Sequence, residues 1–174
     1  MLYLLTLPAY GDAVPSEAVI ELPGCAMKMS VHTSASRSAI WQRWTEVEHW
    51  GDFDPDIAYA YLAPGSSMGE GATGVLKGKH APEVRFEIIN WHPPDTFTVR
   101  LHLPLYQVID MKRYFEPHPE GSTVFSHEVV FRGGLRFFTH LLLAGRFRQA
   151  LVSVMTRIKM LTEKTGADHT KQGT

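Results

Sequence analysis

One cysteine, Cys25, is present among 174 residues. That excludes an internal disulfide and any zinc site built on paired thiolates. At the start of an expected strand, Cys25 reads as a small apolar residue. Histidine is abundant, with nine copies, but no HxH pair and no HExxH helix occur. HEVVF, residues 127–131, opens like a zincin motif yet lacks the second histidine and reads as strand, so no metal is expected. The glycine-rich PGSSMGEGA, residues 64–72, is followed by a strand rather than by GK[ST] and a helix. It is therefore a hairpin connection, not a phosphate loop, and no cofactor is expected.

Charge of one sign is lacking as well. Seventeen Lys and Arg face eighteen Asp and Glu, for a net charge of -1. The basic stretch RFRQ, with Lys159 and Lys164 further on, reads as the wet side of one helix. No nucleic-acid partner is expected. No run reaches the roughly 18 apolar residues of a membrane span, so stable membrane insertion is not expected. The opening MLYLLTLP lacks a positive n-region and stops at Pro8, which argues against a secretory signal and for a cytoplasmic protein.

What is present fits one domain, large enough to bury about 70% of the surface of its unfolded chain. Residues 1–24 are broken by Pro8, Gly11, Pro15, Pro23 and Gly24. They read as an N-terminal extension with one short strand at AVIEL. The domain proper runs over 25–166, with 167–174 as a tail. AMKMSVHT alternates as a first strand. Ser36 is placed to cap the helix RSAIWQRWTEV, on which Ile40, Trp44 and Val47 share a face. EHWGDFDP then turns, with a second short helix over Trp50 to Phe53. Six strands follow, IAYAYLA, TGVLKGK, VRFEIINW, TFTVRLHL, YQVIDMKRYFEP and TVFSHEVVF, joined by Gly- and Pro-rich turns. After RGG the period changes to that of a helix. Phe137, Leu141, Ala144, Phe147, Leu151, Val154, Ile158 and Leu161 form one apolar stripe, and Gly166 is a natural stop. An antiparallel meander needs one face covered, and a single long helix does that, so the fold class is α+β.

The stretches SASRSAIWQRWTEVEHWGDFDPDI, FEIINWHPPDTFTV, YFEPHPEGSTVFSHEVVFRG and RFRQALVSVMTRIKMLTEKTG resemble the START-like, or SRPBCC, helix-grip superfamily. The similarity is greatest to its polyketide cyclase/dehydrase-type branch and spans about residues 27–166. The resemblance implies a curved seven-stranded antiparallel sheet gripping the C-terminal helix, with two short helices after the first strand. A cavity between sheet and helix would take an apolar molecule. Members bind lipids, sterols, polyketides, quinones or hormones, and some catalyse cyclisation or dehydration.

Strand parity names the residues that would face such a cavity. Phe97, Val99 and Leu101 share a face, as do Ile109, Met111, Arg113 and Phe115, and likewise Phe125, His127, Val129 and Phe131. Phe86 and Ile88 point inward on VRFEIINW, where Glu87 would do so only after a register slip. Trp50 and Phe53 are placed at the cavity rim, Leu141 on the covering helix, and Trp44 and Val47 in the core. Asp52 and Asp54 read as turn and cap residues. Arg113 and His127 are polar residues on an apolar parity. Either they orient a ligand and serve as candidate catalytic groups, Arg113 on a carboxylate or carbonyl and His127 on a proton. Or a bulge turns them to solvent, where Arg113 would pair with a carboxylate such as Glu128. Three functions follow: a carrier or sensor of a small hydrophobic molecule, a cyclase or dehydratase using Arg113 and His127, or a protein-interaction module. Nothing in the sequence defines an oligomeric state.

Overall fold

The computed structural model describes residues 18–117 and 122–171, with side chains through Lys164. MLYLLTLP and the tip of the HPEGS turn lie outside the described residues. Eight strands form one open antiparallel sheet in the order β1-β2-β8-β7-β6-β5-β4-β3. The strands are β1 (Ile20–Leu22), β2 (Ala26–Thr33), β3 (Ile57–Leu62), β4 (Thr73–Gly78), β5 (Glu83–His92), β6 (Thr96–Leu103), β7 (Gln107–Glu116) and β8 (Thr123–Arg132). Helices α1 (Arg37–Thr45) and α2 (Trp50–Phe53) follow β2, and α3 (Arg136–Lys171) ends the chain. The sheet thus has eight strands rather than seven. The addition is β1, which pairs with β2 from Ile20↔Lys28 to Leu22↔Ala26 and covers part of an edge that would otherwise expose unpaired backbone.

Local chemistry sets the elements that bear on the cavity. Ser36 caps α1, its Oγ accepting from the Ala39 amide at 3.2 Å, which satisfies one of the orphan donors at a helix start. Asp54 closes α2 with an Asx turn, its Oδ1 accepting from the Asp56 amide at 3.0 Å. At Gly74 a side chain would collide with the Phe86 ring and the Tyr61 carbonyl, so only glycine lets β3, β4 and Phe86 pack together.

Strands β6, β7 and β8 pair in one unbroken register, the shifts in the sheet lying at Ile57–Tyr59 of β3 and Ile89–His92 of β5. Phe97↔Arg113, Val99↔Met111 and Leu101↔Ile109 pair across β6 and β7. Phe115↔Phe125, Arg113↔His127, Met111↔Val129 and Ile109↔Phe131 pair across β7 and β8. All of these point toward α3 and are buried or nearly so. The opposite face carries ion pairs instead. Asp110 accepts from Arg100 Nε at 2.7 Å and from Arg132 Nε at 2.6 Å, tying β6, β7 and β8 together. The paired guanidinium groups hold the Asp110 carboxyl below its ordinary value despite burial.

Helix α3 has 36 residues, about 54 Å at 1.5 Å per residue, whereas the ten-residue strands span only about 33 Å. The helix cannot be covered along its length. Leu151, Val154, Met155 and Ile158 are buried on the sheet. Phe137 and Leu141, expected in the same stripe, are exposed. The reason is geometric: Phe131 at the end of β8 is met by His140 and Phe147, at 5.2 and 5.5 Å between ring centroids, so the turn before His140 runs past the sheet, while Leu141 lies on the side of the helix away from the inward Leu143 and Phe147. Nor does the helix stop at Gly166, running on to Lys171. A helical glycine costs only about 1 kcal/mol relative to alanine. Among the described residues no helix is long and apolar enough to cross a membrane.

Candidate functional site

A cavity of about 330 Å³ lies between the concave face of the sheet and α3, within the usual range of small-molecule sites. Its floor is Leu101, Ile109 and Met111, with Leu76 and Val84 from β4 and β5. Leu143, Phe147 and Ala150 of α3 form its roof, and Trp50 and Ile57 one wall. The lining residues Ala81, Pro82 and Arg146 are exposed, which puts the opening between the β4–β5 turn and the first half of α3.

Five polar side chains line this otherwise apolar space: Arg113, His127 and Asp54 inside it, and Asp56 and Arg146 toward the opening. Arg113 and His127 sit directly opposite each other on β7 and β8, with Met29 of β2 on the far side of His127. They are 3% and 5% exposed, so the inward parity holds and the solvent-facing alternative does not. Arg113 donates from Nη1 to the Trp44 carbonyl at 3.3 Å. That carbonyl is free because α1 ends at Thr45, and it also accepts from the Trp50 indole at 3.0 Å. The guanidinium lies over Trp50, Phe53 and Phe97, at 4.9, 5.6 and 5.7 Å from their ring centroids, a cation–π cage. Its Nε and both ring nitrogens of His127 have no hydrogen-bond partner in the protein. Each such orphan costs about 1–3 kcal/mol when buried.

Burial governs the charge states. Desolvation lowers the Arg113 pKa to about 10, opposed by the Asp54 carboxylate, and the side chain stays cationic at neutral pH. His127 is pushed well below its ordinary value, first by burial and then by the Arg113 charge, so it is neutral and offers one donor and one acceptor. Burial raises Asp54, partly offset by the Asp56 amide and the Arg113 cation.

The depressed His127 has a consequence for stability. The unfolded chain takes up a proton near pH 6.5 that the folded state refuses. His127 therefore contributes stability above that pH that is lost as pH falls toward its folded value, by up to about 1.4 kcal/mol per pH unit. Asp54 acts with the opposite sign, because its folded state keeps a proton that the unfolded state has lost. Urea denaturation between pH 8 and pH 5, run alongside His127→Gln, checks this. The wild type should lose stability below about pH 6.5 more steeply than the variant. Parallel curves would mean that His127 accepts its proton inside the fold.

Of the other sequence-derived candidates, Trp50, Leu101, Ile109 and Met111 line the cavity. Phe53, Phe86, Ile88, Val99, Phe125 and Val129 are packed in the core behind it, and Phe115 is half-buried against that core. Trp50 and Phe53, expected at the rim, are fully buried because α2 tucks beneath the sheet, with Trp50 against Phe86 at 5.4 Å. Leu141 points to solvent, two residues before the first lining residue of α3, Leu143. From the sequence alone Asp54 reads only as a turn residue. It is one, but the same turn carries it into the cavity beside Arg113, and the one available signal was an acidic residue next to two buried aromatics.

No family model matches the sequence, and a search of curated proteins gives no match. Solved structures do share the fold. A hypothetical protein from Helicobacter pylori superposes with a TM-score of 0.66 at 8% identity, covering 92% of this chain and 99% of that one. The di-domain ARO/CYC StfQ from the steffimycin biosynthetic pathway gives 0.64 at 11% identity, covering 82% of this chain and 52% of StfQ. Norcoclaurine synthase from Thalictrum flavum gives 0.60 at 13% identity, covering 92% and 97%. What these structures share with the chain is the helix-grip fold, an antiparallel sheet wrapped on a long C-terminal helix.

Proposed function

We propose that the chain binds a small amphiphile, with an apolar body in the cavity and an oxygen-bearing head against Arg113 and His127. The observation that carries this is the set of unpartnered buried nitrogens, Arg113 Nε and both of His127, on two side chains that line a mostly apolar space. A carboxylate, enolate or carbonyl oxygen would satisfy Arg113, and an adjacent hydroxyl would satisfy His127. The solved relatives include an aromatase/cyclase and norcoclaurine synthase, which supports a cavity ligand without naming one. Carriage or sensing is favoured over catalysis because a general base works best with a pKa near the operating pH, and His127 lies well below it.

Native mass spectrometry of gently purified protein, then denaturing extraction, tests the reading. A stoichiometric adduct with an apolar body and an oxygen head group is expected, released unchanged after incubation. An adduct whose mass shifts on incubation would instead make the site catalytic, with Arg113 and His127 as the acting pair. A clean apo mass, together with no saturable uptake of anilinonaphthalene sulfonate, would overturn both.

A further inference from the structure

The charges that line the cavity balance. Inside it the Arg113 cation is matched by the Asp54 carboxylate, while His127 is neutral. Toward the opening Arg146 Nε and Asp56 Oδ2 make a second opposite pair at 3.9 Å. Those four are the charged residues of the lining, so its walls carry no net charge. Arg157 also attracts Asp54, but it is exposed, and Asp56 acts on Asp54 in the opposite sense. A ligand bearing a full charge would enter this space with each counter-charge already matched. Burying a charge without a partner of its own is strongly unfavourable.

The two inner charges are placed to read one head group together. They act on each other through space, yet among the described residues neither bonds to the other. Asp54 Oδ1 accepts from the Asp56 amide at 3.0 Å, and Arg113 Nη1 donates to the Trp44 carbonyl at 3.3 Å. A direct fork between guanidinium and carboxylate would have consumed the hydrogen-bonding capacity of both. Local structure prevents it. The Asx turn ahead of Ile57 holds Asp54, and the cage of Trp50, Phe53 and Phe97 holds Arg113. The cavity wall thus keeps a donor in Arg113 and an acceptor in Asp54. A group that offers an oxygen to Arg113 and an O–H or N–H to Asp54 joins them without adding charge.

We propose that Asp54 is the residue that sets the class of ligand: an uncharged molecule whose head carries a hydroxyl or N–H beside a carbonyl, in preference to a carboxylate. Of the oxygens that Arg113 alone would accept, Asp54 disfavours the carboxylate, which would lie beside a second negative charge. This rests on the ligand-binding reading above and narrows it.

Two probes on one ring system test the proposal, hydroxyacetonaphthone and hydroxynaphthoate. They share the rings and the hydroxyl and differ as neutral ketone against carboxylate. Calorimetric titration of the full chain at neutral pH should show the ketone binding about tenfold tighter or more. Asp54→Asn removes the charge but keeps an amide oxygen for the turn, so its melting temperature should stay close to that of the wild type. The variant should bind the carboxylate about tenfold tighter than the wild type does and the ketone no tighter. A wild type that prefers the carboxylate would overturn the proposal, and that order decides the matter even where the variant does not fold. Equal carboxylate affinity in wild type and variant would also overturn it. In both of those cases the cavity still binds a ligand, and the reading above stands. Binding of neither probe, nor of anilinonaphthalene sulfonate, would overturn the cavity reading and this proposal together.

Discussion

Arg113→Met should weaken binding of an anionic amphiphile by about 10- to 100-fold, the worth of one hydrogen bond to a charged group, while leaving the fold intact. Methionine fills nearly the same volume among Trp50, Phe53 and Phe97. What is lost inside the protein is one 3.3 Å bond to the Trp44 carbonyl, which the Trp50 indole still occupies, with the cation–π contacts to three rings and the attraction to Asp54. What is relieved is a desolvated cation with an unpartnered Nε. Replacing buried ionic groups by apolar ones of similar size is often neutral or stabilising, by about 1–4 kcal/mol. Loss of these contacts and relief of the desolvated cation oppose each other, so the variant should stay within about 2 kcal/mol of the wild type in urea while losing affinity for anilinonaphthalene sulfonate in a fluorescence titration. A loss of more than about 2 kcal/mol in stability would make Arg113 a structural residue rather than a ligand-binding one.

Trp44→Ala should be the most damaging single change in the aromatic cluster, at about 3–5 kcal/mol. Trp44 is fully buried and packs on Phe115, Phe125 and Phe97 at 5.0, 5.9 and 6.4 Å. It joins α1 to three strands, β6, β7 and β8, so the cavity left behind cannot collapse without moving the helix. Trp41, three residues earlier, is only half-buried, its ring tilted against Trp91 at 5.2 Å, and Trp41→Ala should cost visibly less. The comparison is a pair of urea midpoints. Equal losses would mean that the cluster relaxes as a unit rather than hinging on Trp44.

Much of this was legible in the sequence where periodicity alone decides. Alternation on YQVIDMKRYF and TVFSHEVVF puts Arg113 and His127 among apolar neighbours, since a strand's faces follow from its own residues. It does not reveal that the two are cross-strand partners, because register depends on turn lengths and on the other strands. Asp54 shows the limit from another side. Asp before Pro reads correctly as a turn, but only the tertiary placement of α2 brings that turn under the sheet. Helical spacing counted Phe137 and Leu141 into the core stripe because periodicity reports which face a residue is on, not whether anything lies beneath it. Trp50 and Phe53 were set at the rim for a related reason: a short helix after a turn has no sequence signal for its depth.

The strand order bears on how the chain is made. Strands β3 to β7 each pair with the strand synthesised just before or after them, so that meander can form in sequence order. Strand β2 is different: its long partner is β8, which emerges only after the whole meander. Until then Met27, Met29 and Val31, all buried in the finished protein, have no sheet to join beyond the three-residue β1. Pairings that close long loops are slow and expose apolar strand edges in the meantime. On the ribosome, the nascent chain carries an unsatisfied β2 until residue 132 is translated, and its cavity has no roof until α3 is complete.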